Sequence, residues 1–140
     1  MPQTTVEIRS LADGSLAVGS SGSRTVTIDR SKEAGGLGLG FNGGELLLLA
    51  IGGCYSNDIF REAAKRGMDV HSVQVQVQAD WGGDPVRAQN VSFSTVVEAH
   101  APEEQILELI RHTDCVAEIP NSLRHGTEVK LLSGVGVSRK

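Results

Sequence analysis

The sequence predicts an α+β fold of order βββ-α-ββ-αα-β, antiparallel sheets around one central helix, in a single domain spanning residues 1–140. Three observations predict it. A long helical segment, Glu45 to Gly67, carries the densest apolar run of the chain, Leu46 to Ile51. Two period-two segments follow it, Val70 to Trp81 and Val91 to Ala99. Shorter alternating segments precede it, separated by turn residues.

Thr4 to Ser10 alternates Val6 and Ile8 with polar neighbours and reads as a strand. Asp13-Gly14 turns the chain, and Leu16 and Val18 mark a second strand. Ser20 to Ser23 is another turn, before a third strand from Thr25 to Asp29. Ser31 to Gly44 is glycine-rich and contains G-x-G-x-x-G at Gly38, Gly40 and Gly43. A dinucleotide cradle would need a strand immediately before the motif and an acid ending the following strand. Neither is present, so the stretch reads as a flexible loop.

The central helix changes character along its length. Its first half is apolar on every side, which places it inside protein. Its second half mixes Asn57, Asp58, Arg61, Glu62, Lys65 and Arg66 with Ile59, Phe60, Ala63 and Ala64, and Gly67 caps it. Cys54 stands where the halves meet. Gly52 and Gly53 precede it, and two mid-helix glycines cost about 1 kcal/mol each relative to alanine. Close packing, helix on helix, is expected to offset that cost.

Val73, Val75, Val77 and Ala79 give the next strand its apolar face. Gly82-Gly83-Asp84-Pro85 turns it into a partner strand through Val91, Phe93, Thr95, Val97 and Ala99. Pro102, Glu103 and Glu104 open a second helix with the stripe Ile106, Leu109, Ile110. Thr113 or Asp114 caps a new short helix from Cys115 towards Ile119, ended or kinked by Pro120, so Cys115 is expected in a first turn that favours its thiolate. Thr127 to Leu132 reads as a last strand.

Composition excludes several functions. The net charge is −4 and no basic cluster interleaves with aromatics, so nucleic acid is not an expected partner. The apolar run is far short of the ~20 residues that span a bilayer. The start MPQTTVEIRS lacks the pattern of a secretory signal, and a cytoplasmic protein without membrane contact is expected. The four histidines, His71, His100, His112 and His125, are scattered, and only His112 and Cys115 share a helical ligand spacing. No metal and no cofactor are expected. In a reducing compartment the two cysteines, Cys54 and Cys115, are either inert buried thiols or a redox pair.

The run G-G-E-L-L-L-L-A-I-G-G-C-Y-S-N-D, then K-R-G-M-D-V, two long strands and a second cysteine near a late helix resembles the OsmC/Ohr family of osmotically inducible and organic hydroperoxide resistance proteins. The likeness covers Asn42 to Leu132. It implies an OsmC/Ohr-like fold and an intertwined homodimer with interface active sites. It also implies a thiol-dependent peroxidase acting on organic hydroperoxides in oxidative or osmotic stress defence. Carried over, Cys54 matches the peroxidatic cysteine and Cys115 the resolving one. The expected reductant is an external dithiol, a lipoylated or thioredoxin-like protein.

Leu47, Ala50 and Ile51 are the expected apolar pocket for an alkyl hydroperoxide. The family pattern adds an N-terminal arginine, for which Arg9 and Arg24 are candidates, and a glutamate ten positions before the first cysteine. Here Glu45 is nine positions back, about 100° per residue, which turns it to the opposite side of its helix from Cys54. Glu45 reads better as a first-turn cap. Asp58 and Arg61 share the helical face of Cys54, and the Asp58 charge should raise the thiol pKa. These departures resemble the less characterised OsmC-like branch. A non-enzymatic dimeric protein holding a small lipophilic ligand in the same pocket is the alternative.

Overall fold

The computed structural model describes residues 1–11 and 13–139. Strands β1 (Glu7–Ser10), β2 (Ala17–Ser21) and β3 (Arg24–Ile28) form an antiparallel meander. Helix α1 (Gly43–Lys65) follows, then the hairpin β4 (Asp69–Gly82) and β5 (Arg87–His100), then α2 (Glu103–Val116) and α3 (Glu118–Arg124). The chain divides into two compact units, 1–53 with 75–94 and 54–74 with 95–140. Helix α1 and both hairpin strands contribute residues to each.

In the first unit, Asp29 organises the glycine-rich loop. Its buried carboxylate accepts the Ser15 hydroxyl at 2.7 Å and the amides of Arg30, Leu37 and Leu39 at 2.8, 3.0 and 3.2 Å. The Ser15 bond, with the three amides, holds the Asp29 carboxyl below its ordinary pKa despite burial. The Leu39 amide of the G-x-G-x-x-G segment, and the Leu37 amide just before it, thus already serve an anion, an internal one. The loop ends in a bridge of Ile28 to Phe41, and Gly40 lies so close to strand β3 that a Cβ there would meet the Thr27 carbonyl oxygen at 2.5 Å. Asn42 and Glu45 cap α1 reciprocally, each side chain accepting the other's amide, at 2.8 and 3.0 Å.

Helix α1 is not buried all round. Ile51 is buried, but Leu49 is 52% exposed and Ala50 is exposed as well. Within one copy the helix has protein on only part of its circumference, so an apolar sequence does not secure burial there. The glycines differ too. A Cβ on Gly52 would meet Val77 at 3.1 Å and Val75 at 3.6 Å, whereas one on Gly53 would meet nothing within 4 Å. Helix-on-strand packing, not helix-on-helix, requires Gly52.

In the second unit, Tyr55, Ile59 and Ala63 repeat every fourth residue along α1 and are buried with Leu109 and Ala117. The Tyr55 hydroxyl donates to the Ile110 carbonyl at 2.9 Å, tying α1 to α2. Thr113 does not start a new helix. It lies inside α2, fully buried, with its hydroxyl donating to Leu109 O at 2.7 Å. The break falls at Ala117, whose extended backbone (φ −66°, ψ 119°) ends α2 and precedes α3. Pro120 sets that position: its ring clashes with the carbonyl four residues earlier, Val116, the last residue of α2. In the first turn of α3, where a missing N–H costs nothing, Pro120 is accommodated.

The expected strand from Thr127 to Leu132 does not form. Residues 127–139 have no ladder among the described residues, and Val129, Leu131, Leu132, Val135 and Val137 are 87–94% exposed. A strand needs a partner edge, and within one copy none meets this segment.

Candidate functional site

Cys54 is half-buried on α1. Its thiol lies 3.6 Å from Asp58 Oδ2, one helical turn on, and its sulfur accepts the Ile119 amide at 3.5 Å from the first turn of α3. Burial pushes the Cys54 pKa up; the Ile119 amide pulls against that, and the Asp58 charge adds to the rise. Arg61 faces the same cluster, with Nη1 3.2 Å from Asp58 Oδ1 and 2.7 Å from Glu118 Oε1. The sulfur, Asp58 and Glu118 offer donor atoms within 4.8 Å of one another, in principle a cation site. The Arg61 guanidinium already neutralises both carboxylates, so this cluster is furnished for an ion pair beside a thiol.

Behind it lies a second charged group. Glu62 is buried on α1 and takes Arg61 Nε and Lys65 Nζ at 3.0 Å each on Oε2, and His112 Nε2 at 2.7 Å on Oε1. Lys65, then Arg61 and His112, hold its carboxyl down at about 2. Burial and the Asp114 charge push the Tyr55 hydroxyl up to about 12, so it stays protonated as a donor.

Of the residues singled out in the sequence, Cys54, Asp58 and Arg61 come together. Cys115 does not sit in a first turn. It is exposed in the last turn of α2, one residue before that helix ends at Val116. Both thiols are free. Arg9 and Arg24 belong to the other compact unit; Arg9 is exposed and 3.6 Å from Glu7, and Arg24 donates to Ser21 at 3.4 Å. Glu45 serves as the helix cap. Leu47, Ala50 and Ile51 also belong to that unit, whose apolar cavity of about 350 Å³ is lined by Leu46 with Val6, Ile8, Val26 and Ile28.

Sequence reasoning missed Glu62, Glu118 and Ile119. Glu62 could have been found, because it follows Asp58 by four positions on the Tyr55–Ile59–Ala63 stripe, where a carboxylate must have partners.

Residues 35–132 match the family described as OsmC-like protein. The chain belongs to that family. No curated protein matches it in sequence. Among solved structures, it is similar to an OsmC-like protein from Mycoplasma pneumoniae, with TM-score 0.75 and 16% identity over 88% of each chain. An OsmC-like protein of unknown function from Vibrio cholerae gives TM-score 0.76 at 12% identity, covering 87% of this chain and 94% of that one. An organic hydroperoxide resistance protein OsmC from Legionella pneumophila gives 0.64 at 13% identity, covering 89% and 90%. At such identities the likeness shows the OsmC/Ohr α+β fold alone. No helix among the described residues is long and apolar enough to cross a membrane.

Proposed function

We propose that this OsmC-like protein is a thiol-dependent peroxidase for organic hydroperoxides, with Cys54 as the attacking group. The observation that carries this reading is the half-buried Cys54 sulfur receiving the Ile119 amide beside the Asp58–Arg61–Glu118 ion pairs. Loss of the thiol proton leaves a thiolate that keeps the Ile119 hydrogen bond. The thiolate attacks the terminal peroxide oxygen, the O–O bond breaks, and the departing alkoxide takes a proton to leave as alcohol. Cys54 is then a sulfenic acid. Condensation with the Cys115 thiol releases water and forms a disulfide, which an external dithiol such as a lipoylated or thioredoxin-like protein reduces.

The disulfide requires Cα atoms about 4.4–6.8 Å apart. Cys115 lies two residues before the break at Ala117, and Ile119 two residues after it. Movement at that junction would exchange one for the other beside Cys54. The exposed apolar side chains of Val129, Leu131, Leu132, Val135 and Val137 support assembly of two copies, since a segment with strand-like sequence is stabilised by pairing with a second chain. The proposed setting is a cytoplasmic homodimer.

Mass spectrometry after cumene hydroperoxide treatment tests the reading. A Cys54–Cys115 linkage that disappears in Cys54→Ser, with peroxide consumed in the presence of dithiothreitol, is the expected result. Unreactive thiols in folded protein would refute it. The raised Cys54 pKa and the cavity of about 350 Å³, within the range of small-molecule sites, favour a second reading, a dimeric binder of a lipophilic ligand. Saturable uptake of an apolar fluorescent probe, lost in Val26→Glu and accompanied by no peroxide turnover, would select it.

A further inference from the structure

The two ends of the β4–β5 hairpin that meet opposite its turn carry a cluster with no part in the thiol chemistry. Asp69 opens β4, His71 follows two positions later, and His100 closes β5. In an antiparallel hairpin the start of the first strand lies beside the end of the second. The imidazoles of His71 and His100 accordingly meet edge to face, with ring centroids 4.3 Å apart at 75°. One nitrogen from each and a carboxylate oxygen of Asp69 lie within 4.8 Å of one another.

We infer that Asp69, His71 and His100 form a binding site for a divalent transition-metal ion of the zinc type. Two imidazoles and one carboxylate are the donors that borderline cations of this class take, at about 2.0–2.2 Å for zinc. The three side chains are exposed and make no ion pair or side-chain hydrogen bond among the described residues, so nothing must be broken before they converge on an ion. The Cys54–Asp58–Glu118 cluster differs in this respect, since Arg61 already fills it. Arg66 lines the same cavity as His100, and its guanidinium is engaged by Glu108 at 3.4 Å. Three protein donors leave a position for water, so the ion would be accessible rather than sealed in the manner of a structural zinc. Bound there, it would clamp the start of β4 to the end of β5.

The inference stands apart from the peroxidase reading, and its test removes the thiols that would also take zinc. The full chain bearing Cys54→Ser and Cys115→Ser, without a histidine tag, is titrated with zinc ion in a calorimeter. One ion per chain is expected. His71→Ala and His100→Ala should each weaken binding at least about tenfold, the lower bound for losing even an outer-shell partner of a metal ligand. His125→Ala should bind as the parent does. Zinc should also shift the ring resonances of His71 and His100 while leaving that of His125 in place. A parent that binds no zinc, or a His71→Ala His100→Ala double variant that binds it with parental affinity, overturns the inference.

Discussion

The two halves of helix α1 carry opposite sequences and opposite environments. Gly43 to Gly53 is almost wholly apolar, yet Leu49 stays 52% exposed. Cys54 to Lys65 is rich in charge, yet Tyr55, Asp58, Ile59, Glu62 and Ala63 are all buried there. Hydrophobicity alone ranks the halves in the wrong order. Burial follows what packs against each face, and in the second half α2 supplies Leu109 along with the Ile110 carbonyl for Tyr55. The charged residues are tolerated because each buried carboxylate has a cation within 3.2 Å.

The largest expected contrast is in core truncation. Ile59→Ala should destabilise the protein by about 2–5 kcal/mol, because a fully buried side chain leaves a cavity. Leu49→Ala should cost no more than about 0.5 kcal/mol in a lone copy, as at other surface positions. Urea unfolding of dilute protein measures both. Equal losses would mean that Leu49 is covered by a second copy even at low concentration.

Next in size is the acid response of the Glu62 cluster. The Glu62 pKa is depressed from 4.5 to about 2, so its ionised form stabilises the fold above about pH 4.5. That contribution is lost as the pH falls from about 4.5 towards 2, where the folded-state carboxyl takes up its proton. Glu62→Gln should flatten the dependence of the urea midpoint on pH across that window. An unchanged slope would assign the acid sensitivity to another carboxylate.

The glycine pair gives a smaller and sharper contrast. Gly53→Ala should stabilise the protein by about 0.5–1 kcal/mol, because its Cβ enters open space within a helix. Gly52→Ala should forfeit that gain through its 3.1 Å approach to Val77. Thermal melts of the two variants compare them. The smallest effect concerns the thiol. Asp58→Asn removes one of the influences that raise the Cys54 pKa, so iodoacetamide should label Cys54 faster near neutral pH. An unaltered rate would leave burial as the sole effective cause.

Much of the fold was legible because it rests on local periodicity. The alternation of Val73 to Ala79 and of Val91 to Ala99 places the hairpin, and the helical segment ending at Gly67 places α1. What stayed hidden depends on partners distant in sequence. Thr113 has the chemistry of a cap, but its hydroxyl is satisfied inside α2, and Pro120 moves the break to Ala117. The segment 127–132 has the pattern of a strand without an edge to join in one copy. In the thiol site, Cys54 and Asp58 were readable as helical neighbours. The approach of Glu118 and Ile119 was not, because the α2–α3 turn creates it. His71 and His100 are brought together only by strand pairing, which no helical spacing reveals.

The Asp29 carboxylate fastens the stretch from Arg30 to Leu39 at three backbone amides and ties it to the Ser15 hydroxyl. Replacing it by alanine would untie residues 30–39 together rather than one by one. The stretch leading into α1 would then become a slack tether, open to proteases along its whole length.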